Sequence, residues 1–284
     1  MVSAVCPGHA VLVALRYDIG SGLSAIDPDV APLVAGLPST PVEICAVAQG
    51  LVVLPDLAAG FGIPDERDAE RSIHAVSDIL RVLREHDDSG VEQPRPIESR
   101  VVGTCRHFAL LACAFLRHRA IPARCRAGFA SYFRPGTFLD HWVVEYRHPT
   151  ERRWARVDPE ILGFDFVATP DDLAEGEFLT GGEAWTRCRE GRADPSTFGV
   201  DGYPDNFGIG EVRGNLVRDL AALNKVETLP WDEWGRMEAS YAGETGPDYD
   251  ELMDTIAAAC ATDDEAAIAT LYATHDLAVP SSLV

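Results

Sequence analysis

The sequence predicts an α+β protein, and three observations carry that prediction. Helical, acidic segments fill the first hundred residues. A compact αβββ pattern runs from Thr104 to Asp158, and further helical segments follow from Asn215. Residues 1–97 read as a helical N-terminal segment, 98–162 as the core, and 163–284 as a loop-rich, then helical extension. The three are expected to pack as one compact unit.

The elements follow in order. Pro28–Ala35, Pro41–Ala59 and Asp68–Glu85 read as helices, divided by the Gly/Pro groups at 36–38 and 60–64. In the third, Ile73, Val76, Ile79, Leu80 and Leu83 recur at helical spacing behind an acidic first turn. Ser89–Pro96 reads as a linker. Thr104 can cap a helix reaching about Arg117, with Phe108, Leu111, Ala112, Phe115 and Leu116 as its apolar stripe; Ile121-Pro122 ends it. Ala123–Phe133 alternates Cys125, Ala127, Phe129 and Ser131 with Arg124 and Arg126, a strand pattern. His141–Arg147 and Arg153–Asp158 read as two more strands. Gly163–Gly214 shows little periodicity, and Asn215–Asn224, Tyr249–Cys260 and Asp263–Ala273 read as helices.

Composition narrows the function. Hydrophobic residues make up 46% and charged residues 24%, as in ordinary globular proteins. No apolar run approaches the roughly 20 residues of a membrane span. The N-terminal stretch lacks the basic residues of a secretory signal, and the seven cysteines are unevenly spaced without a Cys-x-x-Cys pair. Together these point to reduced thiols in a cytoplasm. The net charge of −21 argues against nucleic acid and against an anionic membrane surface. The charge is uneven, however. Between Arg100 and Arg156, eleven arginines face three acids, Asp140, Glu145 and Glu151. A positive patch there could recruit an anionic substrate through Arg124 and Arg126, or its arginines could lie on solvated strand faces.

The candidate chemistry starts at Cys105. A helix N-terminus favours a thiolate, because unpaired N–H groups and the positive dipole end point at the sulfur, and Arg100 and Arg106 add to this. Alone, such a cysteine could equally be a small core residue. The two following strands add a partner. With His148–Glu151 as the turn and Pro149 at its second position, His141 falls directly opposite Asp158 on one sheet face. The aspartate can then hold one ring nitrogen while the other takes the Cys105 proton. A slip of one residue would break the pair. Zinc on Cys105, His107, His141 and Asp158 is disfavoured, because His107 points away from Cys105 on a helix. No calcium loop is present either, so no metal and no cofactor is expected. Trp142 and Trp154 suit strand packing, Trp142 also being a candidate substrate contact. Cys113 and Cys125 read as structural.

These motifs resemble the transglutaminase-like superfamily. Gly103-Thr104-Cys105-Arg106-His107-Phe108-Ala109, the stretch 117–126, Asp140-His141-Trp142-Val143-Val144-Glu145-Tyr146 and Arg153-Trp154-Ala155-Arg156-Val157-Asp158 match its Cys, His and Asp motifs in order. The resemblance implies a papain-like α+β core and a thioester acyl-enzyme on Cys105, with His141 as base and then acid and Asp158 orienting it. It implies an acyl donor that is a small molecule, a thioester or a peptide, and an amine or water as acceptor. Amide-forming transfer leads; a cysteine peptidase or amidase and a non-catalytic binding protein are the alternatives. Superfamily members often carry an oxyanion-binding Trp or Gln upstream of the nucleophile. Here no Trp precedes Trp142, and Gln49 and Gln93 are the only glutamines.

Overall fold

The computed structural model describes residues 15–274 and 276–284. The N-terminal stretch read for a signal, with Cys6, lies outside them. Helices are α1 (Pro41–Gln49), α2 (Pro55–Gly60), α3 (Val76–His86), α4 (Cys105–His118), α5 (Gly181–Arg189), α6 (Ile209–Leu223), α7 (Met237–Tyr241), α8 (Pro247–Thr262) and α9 (Glu265–Tyr272). Strands are β1 (Val52–Val53), β2 (Val101–Val102), β3 (Ala123–Ala130), β4 (Phe138–Arg147), β5 (Trp154–Val157), β6 (Phe178–Thr180), β7 (Phe198–Val200) and β8 (Tyr203–Phe207). The main sheet runs β6-β3-β4-β7-β8, with β5 pairing the far end of β4. The class is α+β, as expected.

Two apolar clusters hold the sheet. The first joins α1, α3 and α4 to Cys125, Ala127, Trp142, Val144 and Tyr146. Helix α4 is apolar nearly all round and buried along most of its length, which makes it the central helix of this layer. The second cluster is built by α5, α6, α8 and α9 around Phe129 and Phe198. Strand β3 has no strand partner on one side over 123–127, and α6 covers that edge. Asp219 of α6 accepts from the Ala127 N–H at 3.2 Å and from Arg126 Nε at 2.8 Å. An unpaired edge would otherwise leave backbone donors without acceptors.

Several N-terminal expectations are corrected. Pro28–Ala35 contains only a 3-10 turn, Ala31–Val34. The expected helix Pro41–Ala59 breaks at Gly50, and Val52-Val53 instead pairs in parallel with Val101-Val102. In the third segment Asp65–Ser72 forms 3-10 turns, and α3 begins only at Val76. Long-range pairing with β2 outweighs local helical preference here. The β1–β2 pair fixes the approach to α4. A Cβ on Gly103 would come within 2.9 Å of both Val52 Cγ1 and His107 Cγ, so the chain enters the helix where a side chain does not fit.

The hairpin between β4 and β5 has a different register from the one expected. Arg147 pairs with Trp154 and Val144 with Val157. The loop is Pro149–Arg152, closed by the Arg152 N–H on His148 O (3.2 Å), with Arg152 at φ 57°. The pairing is therefore displaced by two residues. Because side chains alternate with a period of two, His141 and Asp158 stay on one face as diagonal neighbours.

Candidate active site

The site gathers where α4, β4 and the end of β5 converge. Thr104 is extended at the N-cap of α4, its N–H donating to His107 Nδ1 at 3.1 Å and its carbonyl accepting from the His107 N–H at 2.8 Å. This places Cys105 at the first helical position, half-buried, where its N–H has no intrahelical acceptor. His141 lies on β4 and is 2% exposed, and Asp158 follows β5 and is fully buried. His141 Nε2 donates to Asp158 Oδ2 at 2.8 Å. Nδ1 is then the ring nitrogen left for Cys105, which lies close enough to His141 for each to shift the other's ionisation. The three predicted residues are together.

Tyr132, Glu160 and Gln49 hold this arrangement, and of these the sequence drew attention only to Gln49. The Tyr132 hydroxyl donates to Asp158 Oδ2, and the Glu160 N–H donates to Asp158 Oδ1 at 2.9 Å. Gln49 Nε2 donates to the carbonyls of Glu160 and Leu162, at 3.0 and 2.7 Å, and so pins the loop after Asp158. Both hydrogens of the Gln49 amide are thereby used. Tyr132, Phe133 and Phe178 surround the imidazole, with Phe133 at 5.0 Å between ring centroids. Asp158-Pro159-Glu160 and the aromatic pair Tyr132-Phe133 were visible as residues. Only the folded loops bring them to His141.

The electrostatics differ from the expectation for Cys105. Burial pushes its thiol up, and the hydrogen bond and charge of His141 oppose this only in part; the charges of Asp140 and Glu160 push it further up. Desolvation disfavours a charged sulfur even at a helix N-terminus. For His141, burial alone would lower the pKa. The charge and hydrogen bond of Asp158, reinforced by Cys105, outweigh it and hold the imidazole well above its ordinary range. Glu160 is pushed up to about 7, mainly by burial and also by Asp158, and its Oε2 has no hydrogen-bond partner.

The low-exposure arginines correct a second expectation. Arg124 and Arg126 are 4% exposed and do not line the Cys105 cleft. Both bond Glu145 Oε2, Arg124 also reaching Asp263 and Arg126 also reaching Asp219. Arg156 bonds Glu145 Oε1. They border a separate cavity of about 480 Å³ whose lining includes Glu145, Glu183 and Asp263. The positive segment of the sequence is thus neutralised by acids folded onto it. Arg106 is likewise buried and donates to the carbonyls of Ile73, His74 and Glu227. Trp142 is fully buried in the core around α4, which removes it as a substrate contact.

Metal ligation has one geometric candidate among the described residues. Ligand atoms of Cys113, Cys125 and Glu227 lie within 4.8 Å of one another, all buried. Glu227 already pairs with Arg117 at 3.0 Å, and the Cys125 thiol donates to Ala109 O at 3.5 Å. This fits a packed polar cluster better than a cation site, which needs deprotonated sulfur. His107 Nδ1 accepts from the Thr104 N–H at 3.1 Å, so it caps the helix. Among the described residues no helix is long and apolar enough to cross a membrane.

A cysteine opening a buried helix beside a histidine–carboxylate pair is the arrangement of thiol enzymes. Residues 58–159 match the model of the transglutaminase-like superfamily, and the chain carries a domain of that superfamily. The match begins well inside the segment read as N-terminal to the core. No curated protein matches the sequence. Among solved structures it is similar to a proposed cysteine protease from Cytophaga hutchinsonii, at 19% identity over 52% of this chain. The likeness spans about half of that protein, 48%, with a TM-score of 0.17, too distant to inform activity.

Proposed function

We propose that this protein is a cysteine-dependent acyltransferase working through a thioester on Cys105. The observation that carries this reading is the buried His141–Asp158 pair at 2.8 Å, with Cys105 close enough to His141 for each to shift the other's ionisation. In this mechanism His141 Nδ1 takes the thiol proton as sulfur attacks the donor carbonyl. The oxyanion meets the Cys105 N–H at the start of α4. His141 then protonates the leaving group, and the thioester remains. An amine acceptor gives up a proton to His141 as it attacks, an amide forms, and the thiol is restored. Asp158 keeps the imidazole in the required tautomer and stabilises its charged form throughout.

The donor is read as a small molecule, a thioester or a peptide, and the reaction as amide-forming. Water as acceptor would give the peptidase or amidase outcome through the same intermediate. The test supplies an active ester with and without an alkylamine and measures amide against free acid. Amide is expected to predominate, with product lost in Cys105→Ala and His141→Ala. Free acid alone would replace transfer by hydrolysis, and full activity in Cys105→Ala would remove the thiol mechanism.

A further inference from the structure

An aromatic ladder leads from the imidazole to the surface. Phe133 packs edge-on against His141 at 5.0 Å, Phe166 against Phe133 at 5.4 Å, and Phe164 against Phe166 at 6.4 Å. The outer two rings are 48% and 58% exposed, among the most exposed large apolar side chains described. Phe164 and Phe166 sit on the loop that follows Asp158, whose start is pinned by Gln49. These rings form a contiguous apolar surface beside the imidazole, and contiguous exposed apolar surface next to a cleft is where ligands tend to bind.

We propose that the Phe133–Phe166–Phe164 ladder is the acceptor subsite and selects an amine carrying an apolar substituent. The assignment rests on the thioester reading above. His141 gives a proton to the departing group and takes one from the incoming nucleophile, so both travel along its side of the cleft. A wall built on that ring flanks their path. An apolar substituent on the wall also displaces water from the thioester, which favours transfer over hydrolysis. In the step itself the amine nitrogen bonds the acyl carbon, the carbon–sulfur bond breaks, and the amine proton passes through His141 to the Cys105 sulfur.

The test uses p-nitrophenyl acetate as donor and compares hexylamine with ethylamine, which have nearly equal basicity. Each buried methylene favours binding about fourfold, so a wall open on one side gives hexylamine an advantage of about tenfold over four methylenes. That ratio should fall to near one in the Phe164→Ser/Phe166→Ser double variant, whose changes lie at exposed positions. Equal use of the two amines by the wild type, or a preference the double variant retains, overturns the assignment. Undiminished p-nitrophenol release and amide formation in Cys105→Ala overturns the thioester reading itself, and the assignment with it.

Discussion

Glu160→Gln turns the burial of this carboxyl into a measurable stability difference. Glu160 is pushed from its ordinary 4.5 to about 7 by burial, which outweighs the opposing charge of His141, with a smaller upward push from the charge of Asp158. Between those values the unfolded chain has released a proton that the native chain keeps, so native stability falls as pH rises and levels off above about 7. At about 1.4 kcal/mol per pH unit, the full window costs about 3 kcal/mol. Glutamine does not titrate, and any cost of burying its amide is the same at every pH. Urea unfolding of both proteins at pH 5 and pH 8 isolates the effect. The stability of Glu160→Gln relative to wild type should improve by about 2–3 kcal/mol between the two pH values. A difference that stays constant within about 0.5 kcal/mol would refute the reasoning, because it would mean Glu160 ionises normally in the fold.

Two further outcomes follow from the site and the sheet. With both Cys105 and His141 pushed up, alkylation of Cys105 by iodoacetamide should keep accelerating above pH 7. Peptide mapping should still find Cys105 labelled ahead of Cys188, which is pushed up to about 11 without a histidine partner; a plateau below pH 7 would contradict this. Glu145→Ala leaves Arg124, Arg126 and Arg156 without their shared carboxylate. Removing one partner of a buried ion-pair network costs about 3–5 kcal/mol, to be read as a lowered urea midpoint; an unchanged midpoint would show that Asp219, Asp263 and Glu183 suffice.

The parts legible in the sequence are those set by short-range pattern. The apolar stripe of α4 and its Thr104 cap are local, and so is the alternation of β3 that separates Cys125 from Arg124 and Arg126. The His141–Asp158 pair was legible by parity. Mistaking a four-residue loop for a two-residue one displaced the register by two and left both side chains on the same face. What escaped depends on distant partners. Val52 and Val53 become a strand only through Val101 and Val102. Arg124 and Arg126 look like a positive patch until Asp219 and Asp263 arrive from α6 and the end of α8. Helix α5 was hidden by Gly181-Gly182, although Thr180 and Glu183 form a capping box that signals its start. The upward push on Cys105 was also invisible, since desolvation is a property of the packed site and not of its helix position.

The proposed mechanism places the acyl group on Cys105. Brief mixing with p-nitrophenyl acetate, acid quenching and intact mass measurement test it directly. One acetyl group per chain is expected, mapped to the peptide containing Cys105, cleared by added hexylamine and absent in Cys105→Ala. Acetylation at another residue, or undiminished turnover in Cys105→Ala, would contradict it.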